Sequence, residues 1–202
     1  ALDDSLDTDE GWQGNVQFLV IRQSVTGRSG GPDRIFEWSN RAVSSASGSL
    51  HTNPNVSNVT AIGVPQGSTG ANLQGVVMNN TAGTPGGSGQ VVNSVFTGST
   101  TCAVLSTANT SPAPRFQSVL FDCPTAPDAT SLGYINAGGN NTTTTPNTLS
   151  GFLPGPTEIA RPAFNVSALG SFFSPVTYIG AFSPTETATS NWATGWTFNL
   201  FP

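Results

Sequence analysis

The chain has no lysine, a single histidine, a single methionine and two cysteines in 202 residues. Its six basic residues are all arginines, at positions 22, 28, 34, 41, 115 and 161, so no basic stripe exists for a phosphate backbone to follow and a nucleic-acid partner is excluded. His51 stands alone between Leu50 and Thr52; without a second histidine or a nucleophile motif it can serve neither a multi-histidine metal site nor a Ser-His-Asp triad, and it reads as a loop residue. Two cysteines are too few for a structural zinc site. No apolar run approaches the ~20 residues of a spanning helix, and a net charge of −5 opposes adhesion to anionic lipid, so no membrane insertion is expected. Charged residues make up 8% of the chain, against roughly 25% in an ordinary soluble domain. Phosphate-loop and dinucleotide fingerprints are missing too, and the glycine-rich piece Gly83-Thr84-Pro85-Gly86-Gly87 reads as a turn.

What the chain does have is Gly, Ser, Thr, Asn and Pro, in clusters that separate short apolar runs of strand length. The expected strands are Val16 to Ile21, Ile35 to Trp38, Val56 to Ile62, Leu73 to Met78, Val91 to Phe96, Ala103 to Leu105 and Phe116 to Phe121. Val56-Ser57-Asn58-Val59, Val92-Asn93-Ser94-Val95 and Phe116-Gln117-Ser118-Val119 share an apolar-polar-polar-Val pattern, and Val16-Gln17-Phe18-Leu19 is a looser copy. A second strand type, such as Phe36-Glu37-Trp38 or Val76-Val77-Met78, lies between successive copies. Two strand types in fixed alternation describe a solenoid whose turns stack and pair in parallel. The expected fold is therefore all-β, a parallel β-helix, with a β-sandwich as the competing arrangement. Asn58, Ser94 and Ser118 are expected to stack at the bends. Ser44 to Pro54 and Pro85 to Gly89 are expected to leave the solenoid as loops.

The β-helix coils are expected over 1–124, followed over 125–202 by a loop-rich, aromatic-rich capping region packed on the end of the same solenoid, where it covers an exposed terminal rung. Asn140 to Pro146 reads as a solvated tract. Cys102 and Cys123 are spaced to suit one disulfide, worth about 3 kcal/mol through loop closure. The alternative is two buried free thiols. A bridge would imply an oxidising compartment: periplasm, cell surface or medium.

Five of the eleven acidic residues fall in the first ten positions. Asp3, Asp4, Asp7, Asp9 and Glu10 offer hard oxygen ligands that a tight bend could gather around Ca²⁺. Their spacing matches no EF-hand, and the alternative is that they accept backbone bonds, face solvent, or pair with Arg22 or Arg34. For polysaccharide cleavage, Asp7, Asp9, Glu37 and Arg34 are the only candidates, and nothing in their spacing sets a geometry. No catalytic residue or cofactor beyond calcium is assigned, and the chain is expected not to be an enzyme. Trp12, Trp38, Trp192 and Trp196, with Phe172, Phe173, Tyr178 and Phe182, are expected to fill the core and its cap; if exposed, they would stack on sugar rings.

Asp3-Asp4-Ser5-Leu6-Asp7-Thr8-Asp9-Glu10-Gly11-Trp12-Gln13-Gly14-Asn15, then Phe36-Glu37-Trp38-Ser39-Asn40, then Thr177-Tyr178-Ile179-Gly180-Ala181 and Trp192-Ala193-Thr194-Gly195-Trp196 bracket nearly the whole chain. Together they resemble a group of secreted or surface-exposed bacterial proteins, from proteobacteria, expected to be right-handed parallel β-helices. The resemblance implies that fold and little about activity. Relatives carry further turns ahead of the acidic run, so this chain is either a piece of a longer one or a subunit whose first rung is covered by a neighbour. The second case would give head-to-tail stacking into a filament. The function expected is that of a secreted or cell-surface structural protein that self-associates; a carbohydrate-binding or carbohydrate-cleaving surface protein with a glycan partner is the alternative.

Overall fold

The computed structural model of the chain describes residues 4–8, 11–24, 33–39, 52–64, 73–78, 87–105, 113–197 and 200–201. Its strands are β1 (Leu6–Thr8), β2 (Asn15–Arg22), β3 (Arg34–Trp38), β4 (Asn55–Ile62), β5 (Gln74–Met78), β6 (Gln90–Thr97), β7 (Thr101–Leu105) and β8 (Arg115–Asp122). Odd-numbered strands form one sheet in the order β1-β3-β5-β7 and even-numbered strands a second in the order β2-β4-β6-β8. Every pairing between them is parallel. This is the parallel β-helix that the alternating strand types predict, with four coils of two strands each. All seven expected strands are present. β1 was not foreseen, because a three-residue Leu-Asp-Thr strand inside an acidic run shows neither apolar length nor alternation.

Side chains of like kind stack inside the coils. Val56, Val91 and Phe116 are in register, as are Ala61, Phe96 and Phe121, and all six are buried. Phe36 stacks on Trp38 with centroids 5.1 Å apart and meets Phe96 edge-on at 5.3 Å, and Phe96 in turn stacks on Phe121 at 5.6 Å. Inward Phe36 and Trp38 leave Glu37 between them on the outer side, as strand alternation requires.

The register corrects one part of the expected repeat. Val56 faces Val91, not Val92, so the copy in β6 begins one residue earlier. The bend residues are accordingly Phe18, Asn58, Asn93 and Ser118, all in the left-handed region with φ of 60°, 55°, 49° and 56°. Ser94, expected at a bend, instead lies buried inside, accepting a bond from Val59 N and donating one to Val92 O. One left-handed residue per coil turns each strand of the second sheet through a corner. Asn tolerates that backbone better than most residues, which explains its recurrence there.

The C-terminal region divides in two. Its first part seals the last coil. Helix α1 (Ala129–Ala137) starts at Asp128, whose carboxylate accepts Ser131 N at 2.7 Å, and it buries Ser131 and Ile135, four residues apart, against the core. Ser131 Oγ accepts Leu105 N from β7 at 2.9 Å. Along β8, Ser118 N donates to Gly139 O, Phe121 N to Thr142 O and Val119 N to Asn141 Oδ1. Asn141 and Thr142 are therefore edge partners, which corrects the reading of 140–146 as a solvated tract.

The remainder, from Asn147 onward, lies across the outer side of the second sheet and not on the end of the solenoid. Val92 packs with Val166 and Phe173, Val95 and Leu120 with Ile179, and Val20 and Ile62 with Phe152 and Phe182. Apolar residues on both sides of those strands are what an otherwise half-polar sheet needs in order to accept such a cover. A short α2 (Pro156–Ile159) and a 3-10 turn at Val166–Leu169 interrupt the cover.

Candidate functional site

Three places on the described surface gather polar or aromatic chemistry. The first is the acidic start. Asp4 precedes β1, and Arg34 opens β3 beside it. Arg34 N donates to Asp4 Oδ1, while the Arg34 guanidinium lies 3.7 Å from Asp4 Oδ2 and 2.8 Å from Glu37 Oε1. Asp4 and Glu37 also hydrogen-bond each other. Burial, and next that bond to Glu37, push the Asp4 carboxyl up from 3.8 to about 7 against the opposing pull of Arg34. Asp7 is exposed on β1, in register with Glu37.

Of the residues considered as calcium ligands, Asp3, Asp9 and Glu10 lie outside the described residues, as does His51. Asp4 takes the alternative role considered for it, a partner of Arg34. Among the described residues no group of three or more His, Cys, Asp or Glu side chains is placed to hold a metal ion. The Asp4–Glu37 pair does not have the spacing of a glycosidase's carboxyl pair. Carboxyls that flank a glycosidic bond stand about 5 Å or more apart. Asp4 and Glu37 lie within hydrogen-bonding reach of each other, closer than that.

The second place is the cover segment near its end. Asn191, Thr194, Gly195, Thr197, Leu200 and Phe201 line an open cavity of about 180 Å³, and Trp196 stands between two of them, 86% exposed. Trp192, 43% exposed, is anchored by stacking on Phe182 at 5.4 Å and by donating its indole N–H to Ala181 O at 2.8 Å. Trp38, Phe173 and Phe182 are buried as expected, but Trp12, Phe172, Trp192 and Trp196 are exposed, and for these four the core-filling expectation is wrong. A hydrogen-bonded turn at 193–197 holds the Trp196 side chain outward, and nothing in the W-x-x-G-W spacing distinguishes that from an inward pose.

The third is an open cavity of about 340 Å³ at Arg161, lined also by Thr145 and Thr157. Burial lowers the Arg161 guanidinium from its ordinary value, with nearby Glu158 pulling the other way. Its Nη1 is already engaged by Asn140 O at 2.6 Å.

Cys102 and Cys123 form a disulfide that ties β7 to the residue following β8. Stacked two-strand coils, an inner ladder of Val and Phe, and a sealed last rung define a parallel β-helix protein. The chain belongs to the pectate-lyase-like β-helix domain family, whose model matches residues 1–197. No curated protein and no solved structure matches it.

Proposed function

We propose that the protein is a secreted or cell-surface structural module that presents a rigid β-helix and does not itself turn over substrate. The observation that carries this reading is the way the chain closes itself. Residues 125–145 occupy the edges of β7 and β8, and the segment from Asn147 onward covers the outer side of β2, β4, β6 and β8. A polymer lying across the second sheet would need that side open. The disulfide supports an oxidising location.

Head-to-tail growth into filaments draws no support from this geometry, because it needs a free edge at both ends and the last coil's edge is filled. The outer edges of β1 and β2 carry no partner strand among the described residues, and backbone pairing between copies would use those edges. The test is to incubate the purified protein with polygalacturonate and neutral polysaccharides, with Ca²⁺ or with EDTA, while following new reducing ends and unsaturated products. No product above a boiled control is expected. Turnover that disappears in Asp4→Asn or Glu37→Gln would overturn the non-catalytic reading, and regular fibres under the electron microscope would overturn the reading against head-to-tail growth.

A further inference from the structure

We infer that the exposed indole of Trp196, together with the cavity lined by its chain neighbours Gly195 and Thr197, forms a binding site for the pyranose rings of a neutral polysaccharide. A tryptophan 86% exposed presents a large flat apolar surface to water, and no ring of the described residues stacks on it. The turn beneath it is fixed. Trp196 N, Thr197 N and Thr197 Oγ1 all donate to Ala193 O, at 3.0, 3.3 and 3.2 Å. Ala193 is itself buried against Phe152, Ala181 and Phe182. Gly195 sits at φ +82°, a conformation that lets the chain turn the indole outward. Asn191 adds a brace, its amide donating to Thr187 O at 2.8 Å and to Ala188 O at 3.3 Å while its oxygen accepts Ala193 N at 3.0 Å.

An aromatic face carried on a fixed turn, with amide and hydroxyl groups on the neighbouring residues, matches a sugar ring, which has an apolar face of C–H bonds and a rim of hydroxyls. Thr194 Oγ1 accepts Asn191 N at 3.3 Å and keeps its proton to donate, while Thr197 Oγ1 donates to Ala193 O and keeps its lone pairs. Charge selects the class of sugar. Among the described residues no charged side chain lines the cavity, and the chain carries −5 overall, so a polyuronate would be repelled where a neutral glycan is not. This site lies on the cover segment itself and stands whether or not the structural role does.

The experiment is native electrophoresis of the full chain in gels containing galactomannan, xyloglucan, dextran or polygalacturonate. Retardation is expected in at least one neutral gel and is relieved by soluble oligosaccharide of the same composition. Trp196→Ala should weaken that retention at least about tenfold. Its melting temperature should stay unchanged, because the side chain is exposed, and Trp196→Phe, which keeps a flat ring, should recover part of the retention. Retention in Trp196→Ala equal to that of the natural chain would overturn the assignment. So would migration unaffected by every neutral polysaccharide, or retention confined to polygalacturonate and lost in high salt.

Discussion

Trp38 shows how one side chain sets the sequence around it. Its indole is fully buried, and a Cβ added to Gly89 would lie 2.4 Å from Trp38 Cζ3. Glycine is required there by space alone. Gly89→Ala should destabilise the fold by about 1–3 kcal/mol in a urea melt, the usual penalty for overpacking a closed core; a neutral substitution would mean that the indole can move aside. Asp4 makes a different demand. Its carboxyl is held near 7, above its ordinary 3.8, chiefly by burial, so the folded state favours the protonated form. That stabilisation is full below about pH 4 and is lost as pH rises through about 7. The melting temperature should therefore fall over that window, and Asp4→Asn should flatten the fall; a profile that the substitution leaves unchanged would rule out Asp4 as its source. Both residues were visible in the sequence as types, but their roles were not. The pattern Phe-Glu-Trp says that Trp38 faces inward, whereas only the fold brings Gly89 and Asp4 to their partners.

At the scale of the strand, the bends are where the sequence is most informative and easiest to misread. The alternating strand types were legible because each coil reuses the same chemistry, and seven strands follow from that alone. The register of β6 was not, since Val91 and Val92 are both apolar and a one-residue shift leaves the pattern looking intact. Physical requirements at the corner settle it. Asn93 adopts φ 49°, and its amide exchanges two bonds with the cover segment, accepting Phe164 N at 2.6 Å and donating to Phe164 O at 2.9 Å. Gln17 does the same with Ser174, at 2.8 and 2.9 Å, and Asn58 donates to Tyr178 O and Gly180 O. Side-chain amides thus take the part that a neighbouring strand would play and fasten residues 164–180 to the sheet. Asn93→Ala removes both bonds and places a less tolerant residue in the left-handed region, a loss of about 2–4 kcal/mol. Chemical denaturation should show it. Asn93→Gly, which keeps the backbone freedom and loses only the bonds, should cost less, and equal costs for the two would show that the backbone term is negligible.

The molecule as a whole is unequal at its two ends. One end has β1 and β2, whose outer edges meet no strand among the described residues, with half-buried Leu6, Val16 and Leu19 over the core; the other has α1, Asn141 and Thr142 closing the last coil. The composition of 125–202 predicted that this region would cover the terminal rung, yet not which part of it, because α1 has the sequence ATSLGYINA, with no continuous apolar stripe and an internal glycine. Its helix is made by the Asp128 cap and by the core that receives Ile135. Cooperativity in a stacked solenoid is between neighbours, so protection should be graded along the axis. Amide exchange is expected to be fastest in β1 and β2 and slowest in β6 and β8. The Cys102–Cys123 bridge, closing a separation of 21 residues, should contribute about 3 kcal/mol and act at the sealed end. Replacing both cysteines with alanine should therefore lower the urea midpoint and accelerate exchange in residues 125–142 and in β8, while β1 and β2, already fast, change little. Exchange that rises equally in every coil would mean that the β-helix unfolds as one unit, and that the seal at its C-terminal end carries no stability of its own.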